Sequence, residues 1–348
     1  MARLRAKPPR DADKEAPLVT VLRPVRGLEN NIEATLRSGL TLDYPRLEVL
    51  FCVAEADDPV VPLVRRLIAE HPRVEARLLV GNDPISANPK LNNLQKGWQA
   101  ARAEWIVMAD CNLLLPRDYI RQLRAAWRPG TGLVSSPAVG QQAVGLAGAL
   151  ECAFLNGYQA RWQLAADQVG LGFAQGKTLF WRRDVLEAGG GLAALGKEMA
   201  EDVAATKLVR RQGLRVRLAR LPFVQPVGAR TLPWVWARQL RWARIRRHGF
   251  PALFVPELLT GAAAPLVAVW AAASGAGGSA ASAVLAFGAL WYGAEWALAR
   301  AAGWPASARD LLAWVLRDLM IPALWLGAWR NAGIVWQGTA IPPPLRKV

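Results

Sequence analysis

The sequence has few of the residues that bind zinc or form disulfide bonds. Only 2 histidines and 3 cysteines occur among 348 residues, and Cys52, Cys111 and Cys152 include no Cys-x-x-Cys pair. A zinc module and a disulfide-stabilised secreted domain are therefore excluded, and a reducing compartment is expected for the soluble part. The sequence also lacks a P-loop, a G-x-G-x-x-G fingerprint and a nucleophile elbow, so those routes to nucleotide binding or acyl transfer are absent.

Acidic residues are scarce relative to basic ones. The chain has 27 Asp and Glu against 43 Lys and Arg, which gives a formal net charge of +16 at pH 7. This excess favours anionic partners, namely membrane lipid, a nucleotide or nucleic acid. Residues 1–16 are rich in Arg, Lys and Pro but contain no apolar run of the signal-peptide kind, so we expect a disordered basic arm there.

Residues 17–231 are predicted to fold as one α/β domain. Short apolar strands alternate with helix-like segments, which indicates a mostly parallel sheet flanked by helices. The predicted strands are Leu18–Leu22, Leu47–Val53, Val74–Val80, Trp105–Ala109, Thr178–Trp181 and, as the last one, Leu214–Leu218. Ligands of such sheets bind beyond the carboxyl ends of the strands, so functional residues are expected at that edge.

The C-terminal part is predicted to meet a membrane. Residues 232–252 are basic and aromatic, as in helices that lie in the membrane interface, and Arg244, Arg246 and Arg247 are expected to contact lipid headgroups. Residues 253–330 are predicted to form membrane-embedded helices, followed by a tail at 331–348. The three candidate spans are Leu258–Ala273, Ser282–Ala299 and Leu311–Trp329.

Charge placement predicts how these helices are oriented and paired. Arg317 and Asp318 lie inside the third apolar segment, where unpaired charges are costly, so they are expected to pair with one another or with Glu295. The arginines before residue 253 favour the cytoplasmic side under the positive-inside rule. The resulting expectation is a multi-pass protein of the cell inner membrane with a cytoplasmic catalytic domain.

Three carboxylates are candidate site residues because of their positions. Asp58 follows the strand Leu47–Val53, where a carboxylate can accept hydrogen bonds from a uracil ring or a ribose. Asp110 directly follows Trp105–Ala109 and suits Mg2+ or Mn2+ bridging two phosphates. Asp202 opens a helix, either as an acidic residue favoured by the helix dipole or as a general base that removes a proton from an acceptor hydroxyl.

Basic and aromatic residues complete the candidate site. Lys90 lies in a polar turn before a predicted helix and is either a phosphate contact or part of an ordinary helix start. Arg238 and Arg241 are three residues apart, so they share one helix face, and their guanidinium groups can neutralise a departing diphosphate. Trp242 either anchors the helix at the membrane interface or stacks on a sugar.

Seven short motifs follow one another along residues 18–250. They are Leu22-Arg23-Pro24-Val25-Arg26-Gly27, Asp43-Tyr44-Pro45, Asp57-Asp58-Pro59, Asn88-Pro89-Lys90-Leu91-Asn92-Asn93, Ala109-Asp110, Ala200-Glu201-Asp202 and Arg238-x-x-Arg241-Trp242. In this order they resemble the ceramide glucosyltransferase family, inverting membrane enzymes with a GT-A fold. The resemblance implies that Asp58 binds the nucleotide, Asp110 the metal, and Asp202 acts as the base. It implies that Arg238, Arg241 and Trp242 serve the diphosphate and product side.

Substrate identity stays open at this point. The resemblance implies transfer of a sugar, by default glucose, from a UDP-sugar to the hydroxyl of a membrane lipid, by default ceramide. A hopanoid or a polyprenyl phosphate is an alternative acceptor. The competing class is a non-catalytic basic protein that binds membrane or nucleic acid, for which the +16 charge is the argument. No nucleic-acid-binding motif occurs, so the expected partners are the UDP-sugar, the lipid acceptor and the bilayer, without nucleic acid.

Overall fold

The computed structural model describes residues 16–330, 333–336 and 339–341. Apart from Ala16, the predicted basic arm at residues 1–16 lies outside the described residues, as does most of the predicted tail at 331–348.

The chain forms two compact units. It passes from one to the other between Ala138 and Val139, between Arg161 and Trp162, and between Pro226 and Val227. We call the unit with the residues up to Ala138 and Trp162–Pro226 the sheet unit, and the other the helical unit.

The sheet unit contains a seven-stranded, mostly parallel sheet, as predicted from the sequence. Its strands are β1 (Val19–Val25), β2 (Leu47–Val53), β3 (Glu75–Val80), β4 (Trp105–Ala109), β5 (Thr131–Ser135), β7 (Thr178–Arg182) and β8 (Arg215–Leu218). Their spatial order is β3-β2-β1-β4-β7-β5-β8, and β7 runs antiparallel to β4 and β5. The parallel pairing of β1 with β2 and β4 brings the carboxyl ends of these three strands to one edge.

Four other strands form two further pairs within the described residues. One pair is β6 (Ala138–Val144) with β9 (Phe223–Ala229), and the other is β10 (Ile334–Trp336) with β11 (Thr339–Ile341). Leu214–Leu218 was therefore wrongly predicted to be the last strand, because β9 follows it. The β9 sequence contains Pro226 and Gly228, which disfavour a strand in a sequence pattern and are tolerated in short or edge pairings.

Fourteen α-helices flank the strands or follow them in the described chain. They are α1 (Ile32–Leu40), α2 (Val61–Glu70), α3 (Pro89–Ala100), α4 (Tyr119–Ala126), α5 (Gly145–Ala153), α6 (Arg161–Gln168), α7 (Arg183–Ala188), α8 (Gly191–Leu195), α9 (Glu201–Arg211), α10 (Leu232–Gly249), α11 (Pro251–Phe254), α12 (Ala263–Gly275), α13 (Ala280–Ala302) and α14 (Ala308–Ala328). A π-helical segment, Phe154–Ala160, joins α5 to α6, and a 3-10 turn, Val255–Leu259, follows α11.

The core of the sheet unit fixes the strand ends in space. Leu22, Leu50 and Met108, on three neighbouring strands, are fully buried, and α3 covers them with Leu94 and Trp98. Burying each such leucine contributes about 1.5–3 kcal/mol relative to leaving it exposed. The loops that leave β2 and β4 therefore begin from a rigid base, which suits residues that must hold a reaction geometry.

The helical unit buries an ion-pair network between α13 and α14. Arg317 is fully buried; its Nη2 binds Glu295 Oε2 at 2.8 Å and its Nε binds Asp318 Oδ1 at 2.8 Å. Arg317 was predicted to pair with Asp318 or with Glu295, and it pairs with both. A Cβ at position 157 would overlap Glu295 Oε1 and Arg317 Nη1, so Gly157 is what lets the π-helical segment approach the network. Removing one partner of a buried pair costs about 3–5 kcal/mol.

Part of the predicted apolar region forms helices that are long and apolar enough to cross a membrane. Among the described residues, α14 is long and apolar enough to cross a membrane. The segments Pro251–Leu259 and Ala263–Gly275 meet the same standard only as a pair, with a bend of 51° between them. The predicted span Ser282–Ala299 lies within α13, which is not in that set. The number of crossings therefore stays a prediction.

Candidate active site

Asp110 lies at the carboxyl end of β4 between two lysines. Ala109 pairs with Thr178 of β7, and the Asp110 N–H donates to the Lys177 carbonyl at 3.0 Å, so the antiparallel register places Lys177 opposite Asp110. Lys90 Nζ lies 2.6 Å from Asp110 Oδ1, and Lys177 Nζ lies 3.2 Å from Oδ2. Burial raises the pKa of Asp110, but the two ammonium groups outweigh burial and lower it to about 2. Asp110 is therefore ionised at neutral pH.

Lys90 joins Asp110 to a second carboxylate. It lies in the first turn of α3, where the Asn88 side chain caps the helix by accepting from the Lys90 N–H at 2.9 Å. Its Nζ donates to Glu201 Oε1 and to the Gly176 carbonyl, each at 2.7 Å. Burial lowers the pKa of Lys90, but Asp110 and Glu201 outweigh it and raise the pKa above its usual range. Lys90 is thus held between two carboxylates, and its predicted phosphate contact stays a prediction.

Asp202 lies in the first turn of α9, directly after Glu201. Its Oδ2 accepts the Gly176 N–H at 3.0 Å, and its Oδ1 accepts the Val203 N–H at 2.8 Å. A Cβ on residue 176 would lie 2.5 Å from Glu201 Oε1, so this approach of backbone to carboxylates requires glycine. Burial and, after it, the negative charge of Glu201 raise the pKa of Asp202 to about 6. The two backbone hydrogen bonds act in the opposite direction but do not outweigh them. A carboxylate with this pKa is suited to accept a proton near neutral pH.

We call these residues the charged cluster: Lys90, Asp110, Lys177, Glu201 and Asp202. Asp110 offers a divalent ion one ionised carboxylate, and the described residues contain no group of three or more His, Cys, Asp or Glu side chains placed to hold a metal. Mg2+ and Mn2+ commonly bind through one or two carboxylates and complete their shells with substrate phosphates and water. The donor set at Asp110 fits such an ion, provided that an ammonium group gives way to it.

Asp58 connects the loops that leave β1 and β2. Both of its carboxylate oxygens accept the Gly27 N–H at 3.0 Å, and Oδ1 also accepts the Val60 N–H at 2.9 Å. No hydrogen bond or ion pair seen in the described residues joins Asp58 to the charged cluster. Its carboxylate keeps unused lone pairs, so nucleotide binding stays a prediction, and the contacts that are present fix the shape of the two loops.

Arg238 of α10 is neutralised within the helical unit. Its Nε lies 3.1 Å from Oε1 of the fully buried Glu151, and Gln239 Nε2 donates to the other oxygen of that carboxylate at 3.0 Å. The guanidinium group also lies between two indole rings, 5.1 Å from the centroid of Trp234 and 4.4 Å from that of Trp242. Arg238 is therefore committed to internal contacts, and one face of Trp242 is used to hold it.

Arg241 differs from Arg238 although both lie on α10. No hydrogen bond or ion pair of Arg241 occurs within the residues that the structure describes. Burial, and after it the positive charge of Arg238, lower the pKa of Arg241 to about 10, although the charge of Glu151 acts in the opposite direction. Arg241 is still a cation at neutral pH, but its surroundings disfavour the charge, so an incoming anion would relieve that cost.

Arg246 has ionic and aromatic partners within the helical unit, and its predicted contact with lipid headgroups stays a prediction. Its Nε donates to Glu257 Oε1 at 2.7 Å, and its guanidinium lies 5.5 Å from the Tyr158 ring centroid. The Tyr158 hydroxyl donates to the second oxygen of Glu257 at 2.9 Å, which closes the network. The sequence did not indicate this partner, because Glu257 lies 11 residues away along the chain, in the region predicted to be membrane-embedded.

Three functional candidates were not singled out from the sequence. Glu201 was treated with Asp202 as an ordinary acidic helix start, whereas it anchors Lys90 and raises the pKa of Asp202. Lys177 gave no signal of its own, although it directly precedes a predicted strand. Glu151 lies in an apolar stretch, where an isolated acidic residue indicates a buried partner, and that signal went unused.

The fold and the site define a class, the glycosyltransferases with a GT-A fold. The structure resembles that of the mannosyltransferase PcManGT from Pyrobaculum calidifontis, determined in complex with GDP-Man and Mn2+. The TM-score is 0.52 at 23% identity, and the match covers 91% of this chain and 92% of that one. A likeness at this identity establishes the fold.

Sequence comparison gives the family. The model of glycosyl transferase family 21 matches residues 1–342, and the chain belongs to this family. Ceramide glucosyltransferase 1 of Caenorhabditis elegans is 27% identical over 251 residues, which are 72% of this chain and 54% of that protein. Ceramide glucosyltransferase 3 of the same organism is 22% identical over 347 residues, 95% of this chain and 76% of that one. The chain thus spans about half the length of the first relative, and the resemblance stated from the sequence motifs is confirmed.

Proposed function

We propose that the chain transfers a sugar, by default glucose, from a UDP-sugar to the hydroxyl of a membrane lipid, by default ceramide, with inversion at the anomeric carbon. The family and the names of the curated relatives support the substrate classes. The observation that carries the proposal is the charged cluster, where Asp202, with a pKa of about 6, and the ionised Asp110 both contact the Gly176–Lys177 segment.

Asp202 acts as the general base in this proposal. The acceptor hydroxyl attacks the anomeric carbon from the side opposite the diphosphate, the bond from that carbon to the diphosphate oxygen breaks, and the hydroxyl proton passes to Asp202. A single displacement of this kind inverts the anomeric configuration. With a pKa of about 6, most of Asp202 is ionised at pH 7 and still basic enough to take the proton.

The diphosphate leaving group requires positive charge. Asp110 is the residue that would hold Mg2+ or Mn2+, which when bound would neutralise part of the diphosphate charge. Lys90 and Lys177 already lie at Asp110, which brings two ammonium groups to the same edge of the sheet. Asp58, at the adjacent strand end, is assigned to the uracil or ribose of the donor.

Arg241 is assigned to the departing diphosphate. The assignment is supported by the family motif and by the absence of a hydrogen bond or ion pair of Arg241 in the described part of the chain. Guanidinium groups bind phosphate oxygens through two parallel hydrogen bonds and keep their charge. Arg238 and Trp242 serve the same function through positioning, because Arg238 is already paired with Glu151.

The acceptor is proposed to be reached from the cytoplasmic face of the inner membrane. The apolar helix α14 and the bent pair Pro251–Leu259 and Ala263–Gly275 support attachment to a bilayer. The basic helix α10, which precedes them in the sequence, favours the cytoplasmic side for the catalytic residues.

Lipid mass spectrometry tests this function. Cells that express the chain should accumulate a hexosylated ceramide, and cells that express Asp202→Asn should not. The purified protein with UDP-glucose, ceramide and Mn2+ should give the β-glycoside, detectable by the anomeric proton coupling in NMR. A new hexosylated hopanoid or polyprenyl phosphate would replace ceramide as the acceptor. An unchanged lipid profile together with no metal-dependent binding of UDP would favour the non-catalytic alternative.

A further inference from the structure

We propose that Lys177 competes with the divalent cation for Asp110 and then binds the diphosphate of the donor. The ammonium group neutralises the carboxylate while the site is empty and neutralises phosphate when the site is loaded. This inference rests on the proposed function, because it requires a metal ion at Asp110 and a nucleoside diphosphate as ligand.

The backbone of Lys177 is fixed, whereas its side chain can exchange partners. Its carbonyl accepts the Asp110 N–H at 3.0 Å, and the next residue, Thr178, is the first of β7 and pairs with Ala109. The side chain, 9% exposed, reaches Asp110 Oδ2 at 3.2 Å and donates to the Asn112 amide oxygen at 2.7 Å. A rotation of the side chain can therefore move the ammonium away from Asp110 without any change in the sheet.

The two lysines at Asp110 differ in how firmly they are held. Lys90 is bound by two carboxylates and a carbonyl, with distances of 2.6–2.7 Å. Lys177 has the longer contact with Asp110, at 3.2 Å, against 2.6 Å for Lys90. Because the attraction between charges weakens with distance, the contact of Lys177 with Asp110 is the weaker of the two and costs less to break. Lys177 is therefore the cation that yields to a metal ion.

The exchange couples metal binding to nucleotide binding. A metal ion that enters alone must break the ion pair of Lys177 with Asp110 and leaves an ammonium group in a largely buried position. A diphosphate that enters with the metal supplies that ammonium with a new anionic partner. The metal ion should consequently bind weakly alone and much more tightly with UDP, and Lys177 should be the residue responsible for this difference.

Direct binding measurements on Lys177→Met test the proposal without an activity assay. Binding of Mn2+ is measured on the full chain in detergent by electron paramagnetic resonance, first without nucleotide and then with UDP. Without nucleotide, the variant should bind Mn2+ about tenfold more tightly than the wild type, the equivalent of one charge-assisted hydrogen bond. At saturating Mn2+, it should bind UDP about tenfold more weakly. Lys177→Gln, which keeps a donor for Asn112, should change both affinities in the same directions.

Lys207→Met is the matched control. Lys207 Nζ pairs with Glu198 at 2.7 Å, so its loss changes the net charge equally at a different ion pair. Unchanged or weaker Mn2+ binding in both Lys177 variants, in proteins whose thermal unfolding is cooperative, would overturn the competition. Tighter Mn2+ binding with unchanged UDP affinity would overturn the phosphate contact. If the wild type binds neither Mn2+ nor UDP, the proposed function fails and the inference fails with it.

Discussion

The pH dependence of turnover is the sharpest test of the charged cluster. Burial, assisted by the charge of Glu201, raises the pKa of Asp202 to about 6, and only the ionised form can accept the hydroxyl proton. We expect kcat to be nearly constant above pH 7 and to fall as the pH drops through about 6. At pH 5 about one tenth of Asp202 would be ionised, so kcat should be about tenfold below its plateau.

Two substitutions separate the base from its neighbour. Asp202→Asn should lower kcat by about 100- to 10,000-fold, the usual contribution of a general base, while Mn2+-dependent UDP binding is largely kept. Glu201→Gln removes the negative charge that helps to raise the pKa of Asp202, so the acidic limb of the profile should move to lower pH. Asp184→Asn is the control, because Asp184 is an exposed carboxylate paired with Arg182 in the same unit.

Thermal unfolding provides the check on folding. A carboxyl group whose folded pKa lies above its unfolded value of about 3.9 destabilises the fold while it is ionised, and this cost disappears as the pH falls through about 6. Asp202→Asn should therefore unfold at the same or a higher temperature than the wild type at pH 7–8. Release of UDP is measured at saturating donor and acceptor in detergent from pH 4.5 to 8.5. Near-normal turnover of Asp202→Asn, or a wild-type profile that is flat between pH 5 and 7, would refute this role of Asp202.

Three further predictions concern the metal, the arginines and the membrane. Asp110→Ala should abolish the Mn2+ dependence of UDP binding measured by calorimetry, and unchanged dependence would place the metal elsewhere. Arg241→Ala should lower kcat more than it raises the donor KM, since its contact strengthens as charge develops on the diphosphate, while the melting temperature is kept. Arg238→Ala should instead lower the free energy of unfolding by about 3 kcal/mol, because it leaves Glu151 buried without its cation; equal effects of the two variants would contradict this division. The chain should stay in the membrane fraction at 1 M salt, which screens charges within about 3 Å, and need detergent for release.

The strands that were predicted well are those whose burial is continuous. Leu47–Val53 and Trp105–Ala109 have the predicted bounds because both are apolar runs that end in polar loops. β5, Thr131–Ser135, was missed because it is short and contains Gly132, whose place in the sheet depends on contacts with Leu214 and Val209 far along the chain. The sequence also did not indicate that residues 139–161 belong to the helical unit, because they pack against helices that come more than 70 residues later in the chain.

The sequence predicted which charged residues lie at the candidate site, but it did not predict which of them form ion pairs. Asp110 could be selected because it follows a strand, a rule that comes from the geometry of parallel sheets. Its pairing with Lys177 depends on the antiparallel insertion of β7 beside β4, which no local pattern indicates. The same limit applies to Arg238, whose spacing from Arg241 is plain in the sequence, whereas its buried partner Glu151 is 87 residues away.

Counting charges explains the direction in which the pKa of Asp202, in the sheet unit, and the pKa of Arg241, in the helical unit, are shifted. In the charged cluster, the ammonium groups of Lys90 and Lys177 balance the carboxylates of Asp110 and Glu201, which leaves the charge of Asp202 uncompensated. Its pKa is raised for that reason as well as by burial, and a proton restores the balance.

The helical unit presents the opposite case. Glu151 is paired with Arg238, and the half-buried Arg241 has no hydrogen bond or ion pair among the residues described, so its pKa is lowered to about 10. The proposed sugar transfer releases a proton from the acceptor and a diphosphate from the donor. Asp202 can accept the proton, and Arg241 can bind the diphosphate. Substitution of Asp202 or Arg241 should therefore change the rate of the chemical step. Substitution of Arg238, which is paired with Glu151, should lower the stability of the fold, and substitution of Glu201, which is paired with Lys90, should shift the pKa of Asp202.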